Sequence, residues 1–147
     1  MSTLSDSPAS LLQFVLIGEG AGVQPPAAPW PIYVGRLPDG SNIEDQAIAV
    51  YDTEPRQDGR LMAGEKIEHP GMQFRVRADD YQTGFQKLSA IAAILDSVKN
   101  QAVLGDSLNA YTVNAITRIG GVIPIGTDDQ GREGFTLNVT STITESP

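Results

Sequence analysis

Between Gly71 and Leu95 the sequence changes its hydrophobic period within a few residues, and that change limits what the chain can fold into. Phe74, Val76 and Ala78 alternate with Gln73, Arg75 and Arg77, the period-two signature of a half-buried strand. Asp79 follows as an N-cap, with Gln82 as the reciprocal member of a capping box. From there the apolar residues fall at Tyr81, Phe85, Leu88, Ile91, Ala92, Leu95 and Val98, which is helical spacing. A strand feeding straight into an amphipathic helix fixes which helix face covers the sheet.

Ser7-Pro8 offers a capping hydroxyl followed by Pro at the first helical position, and Leu11, Leu12, Val15 and Leu16 share one face of a helix over Pro8 to Ile17. Gly18, Gly20 and Gly22 end it. They follow a helix instead of a strand and lack a Lys-Ser/Thr, so no phosphate loop is read there. Pro25, Pro26, Pro29 and Pro31 surround Trp30 and predict a stiff, extended connector. Ile32–Val34 and Ala47–Tyr51 are strand candidates separated by turn residues Pro38-Asp-Gly40. Glu54 to Pro70, rich in Gly, Pro and mixed charge, reads as a long loop. The main helix is expected to end between Asn100 and Gly105, and Gly84 within it implies a close backbone contact or a bend. Tyr111–Thr117 and Phe135–Ile143 are strands joined by a long tip containing Asp128, Asp129 and Gly131. The expected fold is α+β: a mostly antiparallel sheet of four to five strands, one long helix packed on one face, and an N-terminal helix. Residues 1–147 form one domain in this reading, with 1–22 as the N-terminal helix, 23–46 as a Pro-rich extended arm and 47–147 as the α+β core.

Little in the chain points to chemistry. With no Cys and one His, thiolate chemistry and a His-based metal site within one chain drop out. His69 precedes Pro70 in the Gly-rich stretch and reads as a surface or turn residue, while Asp79 and Asp80 stand where a helix N-terminus favours acids. Asp128 and Asp129 lack the acid spacing of a calcium loop, and no nucleophile elbow or zinc-protease helix is present. Neither catalytic nor metal nor cofactor-binding residues are assigned, and no enzyme is expected. The formal net charge of −8 argues against a surface that grips phosphates; it suits solubility, or a lining past which nucleic acid slides. No apolar run is long enough to span a bilayer, and no basic residue precedes Phe14–Ile17, so synthesis in the cytoplasm is the expectation.

The string Phe74-Arg-Val-Arg-Ala-Asp-Asp-Tyr81, the helix after it and the preceding Gly59–Gly71 resemble the small phage tail terminator and minor capsid (head–tail joining) proteins, over roughly Ala47 to Thr144. The resemblance implies a structural virion protein: one subunit of a homo-oligomeric, typically hexameric ring that caps the tail tube. Its implied partners are the tail tube protein and the head connector or stopper, with DNA passing through a central channel without specific binding, and no membrane. Such a protein is made in the host cytoplasm and ends in the virion's tail or neck. The family supplies no active site to carry over, so interface residues are assigned from pattern: Glu65 and His69 in the Glu54–Pro70 loop and Asp128 and Asp129 in the Asn114–Gly134 hairpin for axial contacts, Arg75 and Arg77 for lateral ones, and Trp30 as the anchor of the arm. The commoner arrangements are Trp30 packed on its own domain and Arg75 and Arg77 paired across strands within the sheet. The alternatives are another neck protein, of head-completion or stopper type, or a small α+β module that binds a ligand or peptide.

Overall fold

A computed structural model describes residues 6–25, 27, 29–38, 45–60, 66–105 and 109–145, with the backbone alone for 54–60 and 66–68. Its elements are α1 (Pro8–Gly18), β1 (Ile32–Val34), β2 (Ala47–Arg60), β3 (Lys66–Ala78), α2 (Tyr81–Ser97), β4 (Lys99–Leu104), β5 (Ala110–Thr127) and β6 (Glu133–Glu145). All six strands join one sheet in the order β1-β2-β3-β6-β5-β4. The ladder is antiparallel except at β1, which pairs parallel to β2 through Ile32 and Ile48.

This architecture corrects the expected fold. The sheet is mixed and has six strands, and two short helices cover it in place of one long helix. The missing strand is β4, which the helical reading absorbed. Ser97 Oγ donates to Ile94 O at 2.6 Å, Val98 leaves helical geometry, and Asn100 turns the chain with φ +47°. Asn is one of the few residues that tolerates this region, which makes a tight helix-to-strand hinge without a glycine signal. The expected loop from Glu54 to Pro70 is mostly strand: β2 runs on to Arg60 and β3 begins at Lys66. Its prolines misled because they sit at irregularities. The β2–β3 register shifts between Thr53 and Arg56, opposite Pro70, where a missing N–H costs least. Likewise β5 continues to Thr127, since Gly120 and Gly126 take positive φ and absorb two register shifts without ending the ladder. The helix cap also moves by one residue. Asp80 accepts from Thr83 N at 3.0 Å, while Asp79 accepts from Gln46 Nε2.

The core lies between one sheet face and the two helices. From α1, Leu11, Leu12 and Leu16 pack with Ile32, Ile48 and Val50; from α2, Leu88, Ile91 and Leu95 pack with Phe74, Phe135 and Leu137. Ser7 caps α1 as expected, with Pro8 in its first turn. Strand β2 reinforces that end, because Asp52 accepts from both Ser7 Oγ and Ala9 N, tying the helix start to the sheet. Buried Gln13 is satisfied by donating to Ile32 O at 2.6 Å. The Pro-rich segment is not extended throughout. Val23 N donates to Trp30 O and Ile32 N to Val23 O, so the chain closes a loop there, with Trp30 at φ +58°.

Gly84 is explained by close approach. A Cβ there would stand 2.6 Å from Cε2 of the buried Phe135 ring, around which Tyr81 and Phe85 pack edge-on with centroids at 5.0 and 6.1 Å. Gly84→Ala gains about 1 kcal/mol of helix propensity but overpacks this cluster by about 1–3 kcal/mol. Urea unfolding is expected to show a net loss for Gly84→Ala, relieved when Phe135→Leu is added. A variant more stable than the parent would contradict the close-packing account.

Candidate assembly surfaces

The sheet face turned away from the helices is polar along β3 and β6. Gln73 Nε2 donates to Asn138 Oδ1 at 3.1 Å, and Arg75 Nε donates to Gln73 Oε1 at 3.0 Å. The Arg75 guanidinium lies 5.2 Å from the Tyr51 ring centroid, a cation–π contact that flattens it on the sheet. Arg75 is half-buried. Arg77, two residues on, is different. Its side chain is buried; Nη1 donates to Pro38 O at 2.7 Å and Nε to Asp45 O at 3.1 Å. It clamps the segment before β2 to the sheet and is not displayed at the surface.

A second buried cation, Arg132, escaped the sequence reading. Asp128 accepts from Arg132 Nε at 2.8 Å and from the backbone N–H groups of Gln130 and Arg132, closing the β5–β6 turn, while Asp45 stands 3.7 Å from Arg132 Nη1. The Arg132 backbone hydrogen bond, reinforced by Gln130 N–H and the guanidinium, holds the Asp128 carboxyl below its usual range against some desolvation. Leu37, Arg75, Arg77, Ile125, Asp128 and Arg132 line an open cleft of about 250 Å³ between this turn and the sheet. All three of its arginines are already engaged by oxygens of the same chain. Among the described residues no three His, Asp or Glu side chains converge as metal ligands.

The remaining expected residues are scattered. His69 stands in β3 with Nδ1 3.0 Å from Thr142 Oγ1. Trp30 packs half-buried on its own core with Lys87 Nζ 5.1 Å from its ring centroid, where burial lowers the Lys87 pKa. Asp129 is exposed at the β5–β6 turn, and Glu65 lies outside the described residues. What the sequence reading passed over is apolar. Ile119, Ile123 and Ile125 of β5 are each about half exposed, at 55%, 46% and 52%. The run Ile119-Gly-Gly-Val-Ile-Pro-Ile125 carries no charge, and that absence was the available signal.

The two arginines of β3 therefore separate. Arg77→Met removes two charge-assisted hydrogen bonds from a buried site and is expected to destabilise the fold by about 2–4 kcal/mol, whereas Arg75→Ala changes it by under about 1 kcal/mol. Chemical denaturation of both variants checks this; equal losses would contradict it. Because the folded Asp128 pKa is depressed, its stabilising contribution is present above the ordinary carboxylate pKa of 3.8 and is lost as pH falls through the lower folded value. A carboxyl NMR titration is expected to place the Asp128 midpoint below 3.8, and to place it higher once Arg132 is replaced by Gln.

Comparison with known proteins adds one finding. No curated protein matches the chain. A family profile described as bacteriophage tail terminator protein matches residues 15–145, which takes in the C-terminal end of α1, all of α2 and every strand. By that match the chain belongs to the bacteriophage tail terminator family, structural components of the phage tail.

Proposed function

We propose that this protein is a terminator ring subunit: several copies close into a ring on the last layer of the tail tube, stop its growth, and present the surface on which the head–neck connector docks. The family match across residues 15–145 carries this reading. Three features support it. The long β2–β3 and β5–β6 hairpins project past the shorter flanking strands β1 and β4, offering backbone for contacts between copies. The cleft beside the β5–β6 turn is lined by side chains already engaged within the chain, which favours assembly over ligand capture. The net charge of −8 suits a channel wall that repels DNA and lets it slide. Among the described residues no helix is long and apolar enough to cross a membrane.

Tube growth gives the test. Tail tube protein polymerised alone should form tubes of uncontrolled length. Adding this protein at a few copies per tube end should arrest growth and leave a ring density at one end in negative stain. Tubes that grow unchanged would contradict the reading. Binding instead to the head connector alone, with no effect on tubes, would assign the chain to a stopper or head-completion role.

A further inference from the structure

The sheet has stepped edges. On one side β4 covers β5 only from Leu104–Ala110 to Lys99–Ala115, so the outer edge of Ile116–Thr127 faces no strand among the described residues. On the other side β1 covers β2 only at Ile48–Val50, with Gly35 N reaching Val50 O, so the outer edge of Tyr51–Arg60 also faces no strand among the described residues. Each free half therefore carries a row of backbone N–H and C=O groups turned away from the sheet.

We propose that neighbouring copies join through these two edges, the free half of β5 in one copy hydrogen-bonding to the free half of β2 in the next. This rests on the ring reading above and names its lateral contact. Polarity favours the pairing. Successive antiparallel pairings from β2 through β3 and β6 leave β5 running opposite to β2, so copies repeated in the same orientation meet antiparallel. Charge favours it too. Between Ile116 and Thr127 the only charged residue is Arg118, which is bonded to Asp96 of its own α2 at 2.9 Å. In a chain of net charge −8, this isoleucine-bearing edge, whose one charge is already paired, is where a second copy approaches with least repulsion.

The steps also fit one another. The free half of β5 lies level with Glu133–Ser141 of β6, and the free half of β2, traced across β3, lies level with Asn138–Glu145. Aligning them shifts the next copy by about four to five residues, roughly 15 Å at the usual strand rise. Four strands, β2-β3-β6-β5, span roughly 19 Å at normal spacing, so the strands would lean by roughly 38°. That lies within the tilt of about 35–45° seen when sheets close on themselves. The same shift sets the neighbour's β1 beyond the Thr127 end of β5, and β4 beyond the level of the neighbour's Arg60, so neither flanking strand lies level with the paired halves.

Disulfide trapping tests it, since the chain has no Cys. Thr53 is exposed at the start of one free half, and the shift sets it beside Ile123 of the neighbour's other half. Assembled on tube ends and oxidised, Thr53→Cys/Ile123→Cys is expected to give a covalent ladder up to ring size. A mixture of the two single variants should give heterodimers, and each alone should give none. Ladders from Ile123→Cys alone would show a two-fold joint and overturn the proposal, as would rings with no cross-link when Ile125→Cys replaces Ile123→Cys to allow for slip at the bulges. Ile123→Lys, at an exposed position, should leave the melting temperature unchanged and weaken assembly at least tenfold; unchanged assembly would also overturn it. If the parent protein never assembles on tubes, the ring reading fails first and this joint with it. Rings on tubes without the joint would leave the ring reading intact.

Discussion

The backbone ladder through β2, β3, β6 and β5 is the constraint on which the rest of the molecule depends. Main-chain groups taken out of water need partners, and these four long strands supply them to one another over most of their length. The helices then cover only one face, and their apolar residues meet the sheet where Phe74, Phe135 and Leu137 are fully buried. The flanking strands β1 and β4 are too short to cover the outer edges of β2 and β5. What the ladder leaves unfinished at its edges is therefore set by strand length, independent of any side chain.

Much of this was legible wherever one hydrophobic period ran unbroken. The alternation through Phe74, Val76 and Ala78 and the helical spacing from Leu88 to Leu95 correspond to β3 and α2, and the Ser7-Pro8 cap marks α1. Legibility failed where turn-forming residues sit inside strands. Pro55, Gly59 and Pro70 lie within β2 and β3, and Gly120 and Gly126 within β5, and each coincides with or borders a register shift. Composition cannot distinguish a bulge from a loop, because both select the same residues; only the pairing partner across the ladder decides. Strand β4 failed differently, since its exposed and half-buried positions carry too little apolar contrast to show a period.

The candidate surface residues show the same division. Arg75 and Arg77 are equivalent by spacing, yet one lies over Tyr51 and the other is buried under the segment before β2. Period-two logic assigns a face, not the depth of what covers it. Asp128 was placed correctly in a turn, but its partner Arg132 is a buried cation that hydrophobic patterning cannot reveal. The exposed isoleucines of β5 went unmarked because Gly120, Gly121 and Gly126 make that run read as part of a hairpin tip. In a structural tail protein, apolar residues left at an open edge are better understood as surface awaiting a neighbour.

The central claim is that the unfinished edges of this sheet are completed by other copies of the same chain at the end of a tail tube. Cryo-electron microscopy of tube ends carrying the protein tests it most directly. The account predicts a ring in which the sheet runs without a break from one copy to the next, β5 of each lying antiparallel to β2 of its neighbour. A single bound copy, or a ring whose copies touch through α1 or α2 while both sheet edges stay open, would contradict it.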